Sequence, residues 1–390
     1  MRYLSAGESH GPCLTAIIEG LPAGLEIKKD AIDKHLQRRQ GGYGRGGRMK
    51  IEKDSIEFLS GLRFKKTIGS PLTLQIKNRD YENWQKVMSP EGEPPPDVAA
   101  LTRPRPGHAD LAGGLKYNHD DLRMVLERSS ARETAIRVAV GSVGRLLIER
   151  YSVIIYSHVK SIGTVTADID VNNLPGLFRQ VEQSPLSCAD PAVEKDMVRV
   201  INTAADKGDT LGGVIEILVT GVPPGLGSHV QPDRKLDGRL CGALASIQGM
   251  KAVEVGEGLS AASMPGSLCH DPIILSEKEG ITRPTNRAGG LEGGISNGQP
   301  LILRAAMKPI PTLANPLPSI DWITGKEVMG ATERSDTCAV PAAAVVAEAV
   351  VAWELAVAFR EKFAGDFIEE VDAAFHYYMN SVNRRLRRNR

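Results

Sequence analysis

The chain has 390 residues, and 48 Lys+Arg against 47 Asp+Glu leave a formal net charge of +1. That balance excludes a global basic field for nucleic acid, so any anion site is a local cluster; 42% hydrophobic residues allow a large core and exclude wholesale disorder. Aromatic residues at 5% argue against a base-stacking platform, while 40 glycines and 24 prolines indicate many turns and close backbone approaches.

The N-terminal MRYLSAGESHGP lacks an apolar signal-peptide core, so no signal peptide is expected. Residues Asp30 to Gln40 read as a helix, with Asp30 available as a cap and Ile32 and Leu36 four apart. Leu72 to Lys77 alternates apolar and polar, as a half-buried strand does. Ser89 to Gly107 holds six prolines and reads as a loop. Ser130 to Glu133 has the form of a capping box and opens a helix to about Arg150. Val153 to Val159 and Val214 to Val219 are strand candidates by β-branched content. Pro341 to Phe363 is a long helix with an almost wholly apolar surface, which places it in a core or a subunit interface. Glu348 and Glu354 within it argue against a membrane span. Phe367 to Arg388 is a more amphipathic terminal helix with a basic end, which suits a helix C-terminus. Helices and strands do not alternate regularly, so the expected class is α+β. The five cysteines (13, 188, 241, 269 and 338) are scattered without CxxC, which points to a reducing cytoplasm and no structural zinc. No HExxH or paired acidic spacing offers a metal site.

The sequence echoes itself. Glu19-Gly20-Leu21-Pro22-Ala23-Gly24-Leu25 resembles Thr220-Gly221-Val222-Pro223-Pro224-Gly225-Leu226. Ala112-Gly113-Gly114-Leu115 recurs as Ala288-Gly289-Gly290-Leu291, and Glu127-Arg128-Ser129 as Glu333-Arg334-Ser335. The three pairs keep the same order, which favours one domain built from two related halves, roughly 1–200 and 201–390. The period is too long for a solenoid.

Six stretches could carry chemistry. Arg38 to Lys50 packs five cations and five glycines with no acid among them. Glycines let backbone approach a ligand, and arginine forks suit phosphate and carboxylate oxygens; a flexible RGG-like loop is the alternative. It is neither a Walker loop nor a dinucleotide fingerprint. His108 follows Gly107 behind the stiff Arg103-Pro104-Arg105-Pro106, and His10 stands in Gly7-Glu8-Ser9-His10-Gly11-Pro12. A Ser9–His10 hydrolase pair is discounted, because adjacent residues do not readily place a hydroxyl against an imidazole and no nucleophile elbow is present. Glu127 to Ser130 opens a helix where Arg128 and Arg132 can hold an anion or Ser130 can simply cap. Met307-Lys308-Pro309-Ile310-Pro311-Thr312 is a rigid segment with one ammonium and one hydroxyl. Asp336, in Glu333-Arg334-Ser335-Asp336-Thr337, can cap the core helix or act as a base.

These blocks together resemble the chorismate synthase family. The matching stretches are GESHGP (7–12), RRQGGYGRGGRMKIEKD (38–54), RPGHADLAGGLKY (105–117), ERSSARET (127–134), GGLEGGISNGQP (289–300), MKPIPTL (307–313) and ERSDTCAVPAA (333–343). They run through nearly the whole chain in the family's order, and no added flavin-reductase domain is visible, so the chain resembles the monofunctional bacterial type. Two departures are Gly249, where the family usually carries alanine, and Gln231, where an aromatic or histidine is common.

The resemblance implies a fold of two related β-α halves with a central helical layer between β-sheets. It implies a lyase that converts 5-enolpyruvylshikimate 3-phosphate to chorismate and phosphate by 1,4-elimination, with reduced FMN as cofactor and no net redox change. It further implies a cytoplasmic homotetramer, a separate flavin reductase or reductant, and neither nucleic acid nor membrane as partner. NADP belongs to the same implied chemistry, although the chain carries no obvious pyridine-nucleotide fold. By resemblance His10 assists the departing phosphate, His108 faces the flavin N1/C2=O edge, and Asp336 with Ser9 forms the base relay at flavin N5. Arg39, Arg45, Arg48 and Arg132 are expected on substrate anions. Arg128, Ser129, Ser130, Gln248, Gly249, Gly293, Lys308, Pro309, Ile310, Pro311, Thr312 and Arg334 are expected to line the flavin. A phosphotransferase remains a rival reading of the arginine-glycine loop but needs metal carboxylates. A nucleic-acid binder would need more positive charge, and a non-catalytic flavin- or anion-binding relative would be expected to lack the histidines or Asp336.

Overall fold

The computed structural model describes residues 1–45, 52–169, 174–276, 280–333 and 335–386. Two antiparallel sheets enclose a layer of helices. The first sheet has the order β1-β2-β6-β3, formed by Arg2–Ala6 (β1), Cys13–Glu19 (β2), Leu72–Lys77 (β6) and Ile56–Ser60 (β3). The second has the order β10-β15-β9-β7-β8, formed by Met250–Val255 (β10), Leu301–Met307 (β15), Gly213–Thr220 (β9), Ile154–Ile162 (β7) and Val165–Thr166 (β8). Two-stranded ribbons stand outside them: β4 (Leu62–Arg63) with β5 (Lys66–Thr67), β11 (Ile274–Ser276) with β12 (Gly280–Thr282), β13 (Leu291–Glu292) with β14 (Ile295–Ser296), and β16 (Pro318–Ile320) with β17 (Glu327–Met329).

Alternation sets the faces. Leu14, Ala16 and Ile18 of β2 lie opposite Ile76, Leu74 and Leu72 of β6, and all six are buried. Helix α4 (Thr134–Glu149) packs on this face. In the second sheet Ile215, Ile217 and Val219 lie opposite Ala305, Leu303 and Leu301, and helix α9 (Val340–Lys362) packs on β7 and β9. The helices α4 and α9 pack on each other between the sheets. A Cβ on Gly141 of α4 would stand 2.1 Å from the Ala349 carbonyl oxygen of α9, so only glycine permits this approach. Helices α1 (Lys29–Gln40) and α7 (Leu236–Ala245) flank α9. The short helices α2 (Asp110–Tyr117) and α3 (Arg123–Ser129) precede α4, while α5 (Leu174–Gln183), α6 (Pro191–Asp206), α8 (Gly266–Cys269) and α10 (Ile368–Leu386) complete the chain.

The expected strands at 72–77, 153–159 and 214–219 and the helices at 30–40, 341–363 and 367–388 all form, with ends shifted by a residue or more. Helix α9 is long and apolar enough to cross a bilayer, and 94% of its apolar window is buried inside the fold. Its one fully sequestered acid, Glu348, accepts from Arg38 (2.8 and 2.9 Å), Arg145 (2.8 Å) and Ser157 (2.7 Å). Burial pushes this carboxyl up, but Arg38 and Arg145 outweigh burial and hold it well below the usual range.

Three local expectations are corrected. Asp30 is not a cap: Lys28 holds that position without a side-chain bond, and Asp30 lies in the first turn, where its charge suits the helix dipole. Only half of the capping box forms. Ser130 Oγ accepts from the Arg132 amide at 3.3 Å, but the Ser130 N–H is already bonded to Leu126 O in α3, and Glu133 accepts from Ser5 and Gln248 instead. Asp336 does not cap α9, whose N-cap is Ala339.

Of the echoed segments, only the first pair occupies comparable places: Ala112–Leu115 lies in α2 whereas Ala288–Leu291 turns into β13, and Glu127–Ser129 lies in α3 whereas Glu333 and Ser335 belong to no element. The strands β2 and β9 run into the repeated Gly-Leu/Val-Pro turns, each pairs with the strand that carries the next apolar ladder (β6 and β15), and α4 and α9 close the two series. The second sheet nonetheless takes β7 and β8 from before residue 200.

Candidate active site

The loop between β1 and β2 turns sharply at Gly7 (φ +109°), where a Cβ would stand 2.3 Å from the Cys13 carbonyl oxygen. It delivers His10 onto α3. The His10 amide donates to Glu127 Oε2 at 2.8 Å, and His10 Nδ1 lies 3.0 Å from both Glu127 oxygens. The Ser9 amide donates to Glu127 O at 2.9 Å, so one residue of α3 grips the loop through backbone and side chain. The His10 ring stacks on Trp84 with centroids 4.0 Å apart, and Arg123 lies over the same indole and within 3.4 Å of Glu127 Oε1. Burial raises the Glu127 carboxyl, yet His10 and Arg123 more than offset this and lower it.

Beneath this loop lies a buried ionic floor. Arg132 donates to both oxygens of Asp54 (2.7 and 2.9 Å) and twice to Asn78 Oδ1 (3.0 and 2.8 Å). Asn78 in turn donates to the carbonyls of Glu8 and Gly11, tying the floor to the His10 loop. Arg39 reaches Asp54 at 3.5 Å, and its buried Nε has no partner among the described residues. Burial lowers the Arg39 guanidinium to about 10, with Arg132 and Arg45 adding repulsion, so it stays charged at neutral pH. Arg45 Nη1 meets Asp336 Oδ2 at 2.6 Å.

His108 belongs to a second cluster. Its Nδ1 lies 2.5 Å from Asp110 Oδ1, and the buried Arg105 donates from Nε to Asp110 Oδ2 at 2.9 Å. Arg105 also contacts His108 Nδ1 at 3.0 Å and donates to Thr312 Oγ1 at 3.0 Å. Desolvation raises the Asp110 carboxyl, but His108 and Arg105 dominate and hold it far below its ordinary value. Lys308 donates to Gly107 O, so the Lys308–Thr312 segment and the His108 loop are joined at both ends. The two histidine clusters are linked through α2 and α3, which touch closely enough that a Cβ on Gly113 would meet Val125 at 2.4 Å.

The remaining expected residues divide. The Arg128 guanidinium donates to Gly7 O (2.9 Å), Ser5 O (3.1 Å) and Ser5 Oγ (2.9 Å), so it fastens the His10 loop. Arg132 is likewise engaged in the floor, with a side chain only 2% exposed. Ser129 Oγ donates to Leu126 O, and Ser130 caps Arg132. Gln248 donates to Glu133 at 3.3 Å while its buried Oε1 has no partner among the described residues. Gly249 has φ +84°, and its carbonyl accepts from the Lys308 amide; a Cβ there would press on Met307 at 3.2 Å. Gly293 has φ +62° with open space around it. Pro309 is exposed, Ile310 O accepts from Thr210, and Pro311 packs toward Gly107. Arg48 and Arg334 lie outside the described residues. Concavities of about 140 Å³ at Tyr3, Arg137 and Trp353, and about 450 Å³ at His270, Asp271 and Arg287, contain none of these side chains.

Sequence reasoning missed Glu127, Asp110, Arg105, Asp54, Asn78 and Trp84. Glu127 and Asp110 stand inside the quoted ERSS and GHAD blocks, and an acid two residues from a loop histidine was the available signal for Asp110. Asp54 closes the quoted 38–54 block and Arg105 opens the 105–117 block, while Asn78 and Trp84 gave no signal, because their partners are distant in the chain.

Two histidines, each held by a carboxylate and placed beside guanidinium groups, form the kind of arrangement that acid–base enzymes with anionic ligands use. A model of the chorismate synthase family matches residues 1–359. The chorismate synthase of Desulforamulus reducens is 55% identical over 383 residues, covering 98% of this chain and 99% of its own length. That of Trichlorobacter lovleyi is 57% identical over 378 residues, covering 95% and 96%. A crystal structure of a chorismate synthase matches with a TM-score of 0.79 at 42% identity over 98% of both chains. The chain belongs to the chorismate synthase family.

Proposed function

We infer that this chain performs the reaction its family is named for, converting 5-enolpyruvylshikimate 3-phosphate to chorismate and phosphate by 1,4-elimination, the last step of the shikimate pathway. The observation that carries the reading is the two separate histidine–carboxylate pairs, His10–Glu127 and His108–Asp110, flanking a set of arginines. Elimination breaks a carbon–oxygen bond to phosphate and a carbon–hydrogen bond on the ring. His10 supplies a proton from Nε2 to the departing phosphate, since Nδ1 is held by Glu127. Asp336, 2.6 Å from Arg45 Nη1, serves with Ser9 as the base relay that takes up the ring proton by way of the flavin N5 position. Arg39 and Arg45 attract the substrate phosphate and carboxylates, with Arg48 of the same loop.

The chemistry reduced FMN would supply when bound is transient electron donation for carbon–oxygen cleavage, with no net redox change. The fit rests on Gln248 Oε1, buried without a partner among the described residues, and on the open approach at Gly293. Gly249 and Lys308 to Thr312 would line the flavin, with Arg334 assigned to it by resemblance, and His108 would hold a proton at its N1/C2=O edge. Arg128 shapes this site through the loop it fastens, as do Ser129 and Ser130 through the turn into α4.

A separate reductase or reductant supplies the reduced flavin, and the enzyme is a cytoplasmic homotetramer of single domains, each grown from two related halves of about 1–200 and 201–390. Helix α9 is mostly buried in its own chain; the exposed Leu4 (79%), Phe64 (85%) and Leu259 (80%) offer apolar contact surface. The deciding experiment is anaerobic turnover of the phosphate substrate. Reduced FMN supports chorismate formation and oxidised FMN alone does not; chorismate formed with oxidised FMN and no reductant would overturn the assignment.

A further inference from the structure

We propose that Glu127 is a positioning residue that fixes the tautomer and orientation of His10, so that Nε2 is the only ring nitrogen offered to the reacting phosphate. The proposal deepens the role given to His10 above and rests on it. Glu127 holds His10 in three ways at once: through the histidine amide at 2.8 Å, through Nδ1 at 3.0 Å from both carboxylate oxygens, and through its own carbonyl, which accepts the Ser9 amide. A carboxylate only accepts, so the shared hydrogen belongs to Nδ1. His10 Nε2 makes no hydrogen bond to a described residue, and Trp84 covers one face of the ring. With the amide, the Nδ1 bond and the stacked indole all fixed, rotation of the ring would break several contacts together.

The carboxylate is itself anchored. Arg123 approaches Glu127 Oε1 at 3.4 Å and lies 3.9 Å from Glu333, while lying over Trp84. When Nε2 loses its proton to phosphate, the ring returns to the neutral Nδ1–H form that Glu127 already stabilises, so no tautomer change is needed before reprotonation. No covalent change occurs at Glu127.

The test combines a structural and a kinetic readout. NMR of isotope-labelled histidine nitrogens in the flavin-free chain, with His10→Ala to assign the signal, should show His10 with its hydrogen on Nδ1 at neutral or mildly alkaline pH. A dominant Nε2–H form would overturn the proposal without any variant of Glu127 being made. In Glu127→Gln the His10 signal should report mixed tautomers, and kcat should fall roughly 10–100-fold with a smaller change in KM. Glu127→Asp should recover part of kcat. Glu127→Gln placed on His10→Ala should add little further loss, because the glutamate acts through the histidine. Normal kcat in Glu127→Gln beside a slow His10→Ala would remove Glu127 and leave His10 in place; normal kcat in His10→Ala would remove the His10 reading itself.

Discussion

Arg45 Nη1 and Asp336 Oδ2 lie 2.6 Å apart, joining residues that stand near opposite ends of the chain. The contact is supported by backbone: the amides of Thr337 and Cys338 both donate to Gly44 O. The glycine-rich loop after α1 is thereby fastened to the segment that leads into α9. The pair places a carboxylate oxygen and a guanidinium fork side by side, the one a candidate base and the other a donor for an anion.

The first prediction follows from that pair. Asp336→Asn removes the base and keeps the volume. Because Ala339, not Asp336, is the N-cap of α9, the substitution costs no cap. Turnover should fall about 10²–10⁴-fold while flavin still binds and thermal unfolding moves little. Steady-state kinetics with reduced FMN checks it, and near-normal turnover would reduce Asp336 to a charge partner for Arg45.

Arg39 and Arg132 should separate binding from stability. Arg132 is engaged at every nitrogen, with Asp54, Asn78 and, at 3.7 Å, Glu52. Arg132→Met leaves Glu52 and Asp54 buried with only the 3.5 Å cation contact of Arg39 to Asp54 among the described residues and should cost about 3–5 kcal/mol in urea unfolding. Arg39 has a weak 3.5 Å contact to Asp54 and an unpartnered Nε among the described residues. Arg39→Met should therefore cost less stability and more substrate affinity, roughly 1.5–3 kcal/mol per charge-assisted bond lost. Equal effects of the two substitutions on affinity would contradict this division.

How much of this was legible beforehand depended on range. Leu72–Lys77 and the apolar helix were visible because period and composition act locally, and the all-apolar helix could only be buried. His10, His108 and Asp336 were visible through the blocks that contain them. Their partners were not. Glu127 reaches His10 across 117 positions, and nothing in either segment encodes the meeting except the close packing of α2 on α3. The same holds for Arg128: the fold brings the distant Ser5 and Gly7 carbonyls to its guanidinium, a contact that nothing near residue 128 encodes.

The two histidines should differ in what their loss does to flavin. His108 shares a cluster with Arg105, with Thr312 and, through Gly107, with Lys308, and the last two belong to the Lys308–Thr312 stretch assigned to the flavin. His10 is in the other cluster, on Trp84 and Glu127. Each alanine variant should lower kcat by about 10²–10⁴-fold. His108→Ala should also change the spectrum and affinity of bound reduced FMN, and His10→Ala should leave both unchanged. Titration of reduced FMN under anaerobic conditions, followed by absorbance, distinguishes them; identical titrations for the two variants would merge their roles.

The last prediction concerns acid stability and lies away from the site. Glu216 sits in the middle of β9, opposite His158 of β7 and Arg304 of β15. Its oxygens lie 3.0 Å from His158 Nε2 and 2.6 Å from Arg304 Nε. Burial alone would raise this carboxyl, but His158 and Arg304 more than offset burial and hold it at about 2, below the ordinary 4.5. As pH falls, the unfolded chain therefore takes up this proton first. Between the two values the unfolded state binds more protons than the folded one, so stability falls with falling pH. The contribution is complete above the unfolded value and is lost as pH falls through the folded one. Glu216→Gln lacks this titration but shares every other carboxylate with the parent, so their difference isolates it. The gap in unfolding free energy between parent and Glu216→Gln should be constant above about pH 5 and should narrow steadily toward about pH 2. Urea titrations across that range measure it, and a gap that stays constant down to the acid end would mean that Glu216 does not remain ionised in the folded sheet.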